Sequence, residues 1–225
     1  MTLQDLIRRA RIRLDDRVSP YQWSDAELTA FANAAVNEAC KVSFCLSRTE
    51  DFTVRAGSLE SDPVDNTILH IRSASVGGTP KESIYILSRT QLDKLESAYY
   101  RPAKNILYAA FDGSSSTISV LPPPEIDTQV QVSYVSTPNE DEIMIGGGDE
   151  PLAIPMAYRL LLVDWMVFEA LSDPDVDKAN PAKATDAERR FYTGFGRPIS
   201  AHAMRATASV GVNKQLYGRR FGDHR

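Results

Sequence analysis

Two helical blocks flanking a run of short strands predict an α+β protein, mainly a helical bundle with an inserted antiparallel β-sheet domain and an extended C-terminal arm. Three observations carry this reading. Apolar residues recur at helical spacing before residue 50 and after residue 155, period-two alternation and turn residues fill the interval, and beyond residue 198 periodicity stops while positive charge gathers. The expected layout is residues 1–50 with 151–197 as the helical part, 51–150 as the inserted sheet and 198–225 as the arm.

Leu3, Leu6, Ile7, Ala10 and Leu14 fall on one face of a first helix, with Thr2 and Asp5 as a cap pair at its start. Arg8, Arg9, Arg11 and Arg13 follow in the same helix and read as a solvated or intersubunit face rather than a nucleic-acid patch. After a connection holding Pro20, Ser24 and Glu27 form a capping box that opens a second helix, expected to run to about Ser47. Its alanines, Ala26, Ala30, Ala32, Ala34, Ala35 and Ala39, predict close helix packing. Cys40 and Cys45 read as two small apolar residues of that helix, poorly placed for a disulfide.

Strands are expected at Phe52–Val54, Thr67–Val76, Ser83–Leu87, Asn105–Phe111, Ser116–Leu121 and Thr128–Val135, with turns at Gly77-Gly78 and Asp112-Gly113 and a short helix over Ser88–Leu95. In the last strand Val130, Val132 and Tyr134 alternate with Gln129, Gln131 and Ser133, the pattern of a half-buried strand. Pro122-Pro123-Pro124 interrupts regular structure. Pro155 is expected at the first position of a strong helix that stops near Ser172, and Asn180-Pro181 opens the last helix, ended by Gly194, Gly196 and Pro198.

The chain has 225 residues, a net charge of -5 and a pI near 5.3, which argues against a non-specific duplex-DNA binder. Neither a signal peptide nor a membrane-spanning stretch is visible, so a soluble protein made in a reducing cytoplasm is expected. The final residues, Ile199–Arg225, carry Arg205, Lys214, Arg219, Arg220 and Arg225 against Asp223, a net +4. This segment reads as an arm that orders on a partner.

No catalytic, cofactor-binding or metal site is expected. His70 stands in a strand, and His202 and His224 lie in the arm, without metal-ligand spacing. Gly146-Gly147-Gly148 lacks the lysine and hydroxyl of a phosphate loop and is followed by Asp149 and Glu150, so it reads as a turn. Asp173, Asp175 and Asp177 lack the glycine and terminal glutamate of a calcium loop, and Glu140-Asp141-Glu142 reads as a solvated loop.

Several motifs then fall in a telling order. They are Leu14-Asp15-Asp16, Trp23-Ser24-Asp25-Ala26-Glu27-Leu28, Asn33-Ala34-Ala35-Val36-Asn37-Glu38-Ala39, Val120-Leu121-Pro122-Pro123-Pro124, Tyr134 followed by Thr137-Pro138, Ile154-Pro155 with Tyr158, Leu162-Val163-Asp164-Trp165, Ala179-Asn180-Pro181 and Phe191-Tyr192. In this order, over residues 1–197, they resemble the head-to-tail adaptor (connector) proteins of short-tailed bacteriophages.

The resemblance implies a non-enzymatic structural virion protein at the neck, the head–tail junction. It implies a homo-oligomeric ring of about a dozen copies, a dodecamer, with heterologous contacts between subunits. The ring would join the portal protein to a tail tube or nozzle protein, and genomic DNA would pass through its channel without sequence-specific binding. Arg8, Arg9 and Arg13 paired with Ala35 and Ala39 are the expected intersubunit residues. Arg205, Lys214, Tyr217, Arg219, Arg220 and Phe221 are the expected portal-docking residues of the arm, since aromatics and arginine dominate binding hot spots. The alternatives are a nucleic-acid-binding or a cell-wall-degrading virion accessory protein.

Overall fold

The computed structural model describes residues 1–64, 67–77, 82–111, 117–172 and 179–196. The chain forms two compact units. One holds Met1–Leu46 and the chain from Ser136 through the last helix, and the other holds Ser47–Val135. The two crossings are neighbours in the chain's hydrogen bonding: Ser47 is in register with Val135, and the Ser136 N–H donates to the Leu46 carbonyl at 3.1 Å.

In the helical unit, α1 (Leu3–Leu14) begins at Thr2 and α2 (Asp25–Ser43) at Ser24, each with a complete capping box. The first buries Leu3, Leu6, Ile7, Ala10 and Leu14, the apolar stripe written in the sequence. The second ends four residues sooner than periodicity suggested. Phe44 takes a left-handed conformation (φ 51°) and a strand starts at Ser47. A bulky residue rarely adopts that conformation unless its surroundings impose it.

Pro155 does not open an α-helix directly. It precedes a 3-10 turn, Met156–Leu161, that leads into α4 (Leu162–Ser172), the most buried element of the unit. The last helix, α5 (Pro181–Phe195), is capped by the Asn180 side chain and ends at Gly196 (φ 100°). Gly194 lies inside α5 rather than ending it: a Cβ there would stand 2.2 Å from Leu161 Cδ1, so its small size lets the 3-10 turn pack against the helix. Helix α4 packs on α1, α2 and α5. Trp165 sits in an aromatic cluster with Phe168 and Phe191, both at 4.9 Å between ring centroids.

The second unit holds six strands: β1 (Ser47–Val54), β2 (Ile68–Val76), β3 (Glu82–Leu87), β4 (Tyr108–Phe111), β5 (Ile118–Leu121) and β6 (Thr128–Ser136). Their order in the sheet is β1-β6-β2-β3-β4-β5. The sheet is not purely antiparallel, as the sequence reading had it: β3 and β4 pair in parallel. A parallel neighbour needs a crossover, and α3 (Arg89–Glu96), capped by Ser88, supplies it. The sheet also curls on itself. Ser61 N–H donates to the Ile118 carbonyl at 3.0 Å and Asp62 N–H to the Thr53 carbonyl at 2.9 Å, so residues 59–62 tie β5 to β1. Val130, Val132 and Tyr134 of β6 are buried in this unit's core, as their alternation predicted. The expected turns at Gly77-Gly78 and Asp112-Gly113 and the acidic run Asp173–Asp177 fall wholly or partly outside the described residues, as does the arm.

The connection between α1 and α2 turns on one carboxylate. Asp15 caps α1 with a left-handed backbone (φ 59°), and Asp16 then points inward, 4% exposed. Arg11 Nη1 donates to Asp16 Oδ2 at 2.6 Å, and the Gln22 and Trp23 backbone N–H groups donate to the same carboxylate at 2.9 and 3.4 Å. Asp16→Ala strands a buried guanidinium and two N–H groups and is expected to cost about 3 kcal/mol. Both tryptophans, Trp23 and Trp165, lie in the helical unit, so urea denaturation followed by tryptophan fluorescence reads that unit alone. Asp16→Asn, which keeps an acceptor, is expected to cost less.

Candidate assembly surfaces

The helical unit fixes its surface loops with side-chain hydrogen bonds. Asn33 on α2 makes a reciprocal pair with Met144: its Nδ2 donates to the Met144 carbonyl at 2.9 Å, and the Met144 N–H donates to Asn33 Oδ1 at 3.0 Å. Arg159, 6% exposed, donates to the Ile154 carbonyl at 3.1 Å and to Glu150 Oε2 at 2.7 Å. Asp149 accepts the Ile145 and Gly146 N–H groups, both at 2.7 Å. Two backbone donors at the start of this glycine turn are thus taken by a carboxylate.

The Asn33–Met144 pair ties this segment to α2, and a groove of about 590 Å³ is lined by residues of α2 and of 138–153. Its walls include Ala34, Asn37, Ile143, Ile145 and Leu152, and its carboxylates are Asp141, Glu142, Asp149 and Glu150. The Gly146 and Ile145 N–H groups hold Asp149 below the usual carboxylate range, and Arg159 does the same for Glu150. Both therefore remain charged well into mild acid. Ile145, Leu152 and Met156 are 87, 82 and 72% exposed, and Ile143, Tyr158 and Leu160 are also exposed, six large apolar side chains within residues 143–160.

The expected intersubunit residues separate in the structure. Arg8 and Arg9 are exposed on α1. Arg13 is half-buried and pairs with Asp164 of α4, which also accepts from Arg190 Nε at 3.1 Å. Ala35 and Ala39 are fully buried in the unit's own core, so they have no surface to offer a neighbour. The alanine stripe serves the packing of α2 inside the subunit. Arg11, grouped with the solvated arginines, is buried, 8% exposed, and lies against the Tyr21 ring at 3.8 Å. Its place in line with Ile7 and Leu14 on the apolar face was the signal that separates it from Arg8 and Arg9. Arg205, Lys214, Tyr217, Arg219, Arg220 and Phe221 lie outside the described residues.

The second unit carries a smaller patch of its own. Tyr85 and Tyr100 are exposed, and Tyr108 meets Tyr85 and Tyr99 at 6.1 and 5.5 Å between centroids. His70 is partly buried in β2, and burial lowers its pKa, so it is neutral at physiological pH.

Cys40 and Cys45 do not share one helix. The left-handed turn at Phe44 brings the Cys45 sulfur to 3.8 Å from that of Cys40. The Cys45 thiol is pulled down to about 6, first by its hydrogen bond with Cys40 and then by the Ser43 hydroxyl and local backbone N–H groups. Among the described residues no three His, Cys, Asp or Glu side chains gather as a metal site, and no helix is long and apolar enough to cross a membrane. Alkylation of Cys45 by iodoacetamide, read by peptide mass spectrometry, should rise with pH through about 6 as the thiolate forms. Cys40→Ala removes the hydrogen-bonding partner and should move that midpoint toward the ordinary thiol value.

A family model described as SU10 adaptor protein matches residues 1–213, past residue 197 where the motif resemblance stops. No curated protein matches the chain.

Proposed function

We propose that this chain, which belongs to the SU10 adaptor protein family and is a structural virion component of the bacteriophage adaptor type, assembles into a homo-oligomeric ring between portal and tail. The observation that carries the reading is the uncovered apolar surface of the helical unit, from Ile143 to Leu160. Assembly would remove these side chains from water. The helical unit is the ring-forming part. The strand unit, with its tyrosine patch, faces other partners.

Each subunit of a closed ring offers two different faces to its two neighbours. The ring then surrounds the exit path of the genome, and DNA passes without base-specific contact. An acidic chain of net charge -5 suits passage rather than capture, because a strongly basic lining would hold the phosphate backbone. The basic arm, with Arg205, Lys214, Tyr217, Arg219, Arg220 and Phe221, docks on the portal. Docking through this arm couples ring formation to the presence of the portal.

Light scattering on the full chain, alone and mixed with the portal protein of its own phage, tests this. The expected result is a multi-copy complex that contains portal, with a rise in mass far beyond one adaptor per portal ring. A chain that stays monomeric or dimeric in the presence of portal would refute the adaptor ring. Deleting residues 199–225 should leave the unfolding midpoint of the helical unit unchanged and abolish portal binding, whereas undiminished binding would remove the arm from the mechanism.

A further inference from the structure

Cys40 and Cys45 stand together where an unbroken helix would part them. Five positions along a continuing helix turn a side chain through about 140°, which would send the two thiols to different sides of α2. The helix stops at Ser43 instead, and Phe44, with φ 51° and ψ 35°, turns the chain back. Its N–H donates to the Cys40 carbonyl at 3.0 Å, and the Ser43 hydroxyl donates to the Ala39 carbonyl at 2.6 Å. This closed last turn carries the Cys45 sulfur to 3.8 Å from that of Cys40. Both are thiols, Cys40 wholly buried and Cys45 partly exposed. Cys45 lies beyond the helix end, two residues before β1 begins at Ser47.

We propose that Cys40 and Cys45 form a thiol–disulfide switch: a small soluble disulfide such as oxidised glutathione converts them into an intramolecular bridge that locks the end of α2. The proposal stands independently of the ring reading. The spacing that spoke against a disulfide in the sequence assumed one continuous helix, and the left-handed residue removes that objection. A disulfide holds its sulfurs about 2.05 Å apart, so the gap to close is roughly 1.8 Å.

Exposure fixes the order of events. Cys45, the thiol that an external disulfide reaches, attacks as the thiolate: its sulfur bonds to one glutathione sulfur, the glutathione S–S bond breaks and the first glutathione leaves as a thiolate. Cys40 then gives up its proton and attacks the Cys45 sulfur, the mixed S–S bond breaks and the second glutathione leaves. Two protein thiols are oxidised by two electrons, one glutathione disulfide is reduced to two thiols, and the two protons end on them. The lowered Cys45 thiol, at about 6, supplies the thiolate at neutral pH. A bacteriophage component is made in a reducing host cytoplasm and carried in the virion to an oxidising exterior, the change that takes such a pair from thiols to bridge.

Peptide mapping tests this directly, because trypsin cuts between the two cysteines at Lys41. Cys40 then lies in fragment 18–41 and Cys45 in fragment 42–48, and only a bridge holds the two together. The full chain, reduced and freed of reductant, is incubated at neutral pH with glutathione disulfide, quenched with acid, blocked with N-ethylmaleimide and digested. The expected product is a monomer lighter by two hydrogens that yields the linked fragments, which dithiothreitol separates. Iodoacetamide labelling of Cys45 should fall about tenfold on oxidation. Cys40→Ala should stop at the mixed disulfide, a lasting glutathione adduct on Cys45, and Cys45→Ser should take up no glutathione because Cys40 is sealed in the core. Hydrogen exchange at the Phe44 amide should slow about tenfold in the bridged chain, as a locked helix end requires. A wild-type chain that keeps both thiols, that retains glutathione on Cys45, or that links Cys45 between two copies would overturn the switch. A bridge that leaves the Phe44 amide exchanging at its former rate would overturn the lock.

Discussion

Arg11 and Asp16 form the contact on which the helical unit depends. Neither charge can sit in a protein interior alone, and here each satisfies the other at 2.6 Å while Asp16 also accepts the Gln22 and Trp23 N–H groups. The pair turns the chain from α1 into α2 and delivers Trp23 to the core at 3% exposure. It also gives a physical meaning to the spacing Leu14-Asp15-Asp16 and Trp23-Ser24-Asp25. Asp15 supplies the left-handed cap, Asp16 the hub, Trp23 the anchor, Ser24 the next cap and Asp25 the second acceptor for Arg11.

Helix α4 repeats the device. Every residue from Leu162 to Val167 is buried, and the one charge among them, Asp164, is held between Arg13 of α1 and Arg190 of α5. The acid thus joins α4 to both α1 and α5 through its two arginine partners. Three helices are thus keyed to one another by polar contacts inside an otherwise apolar core.

Carboxylates line the groove beside α2, while Arg11, Asp16, Arg159 and Asp164 are buried within the unit. The strand unit is built on other terms. Its curl comes from the residues 59–62 that tie β5 to β1, and its parallel β3–β4 pair from the helix that carries the chain across.

Sequence alone determined the local features of this protein. The capping boxes at Thr2 and Ser24, the apolar stripe of α1, the alternation in β6 and the Asn180-Pro181 start of α5 all depend on side chains within a few residues of one another. The order of the short motifs carried the family for the same reason, since several of them are caps and turns. What only the tertiary structure decided depends on residues distant in the chain. Periodicity could place Ala35 and Ala39 on an apolar face but not say whether that face meets α4 of the same chain or a neighbouring subunit. Strand propensity could not choose parallel over antiparallel for β3 and β4, because that choice belongs to the crossover. Nor could it foresee the left-handed conformation of Phe44, or that Asn33 and Met144, more than a hundred residues apart, would bond reciprocally and tie residues 138–153 to α2, since no local window of sequence contains both partners.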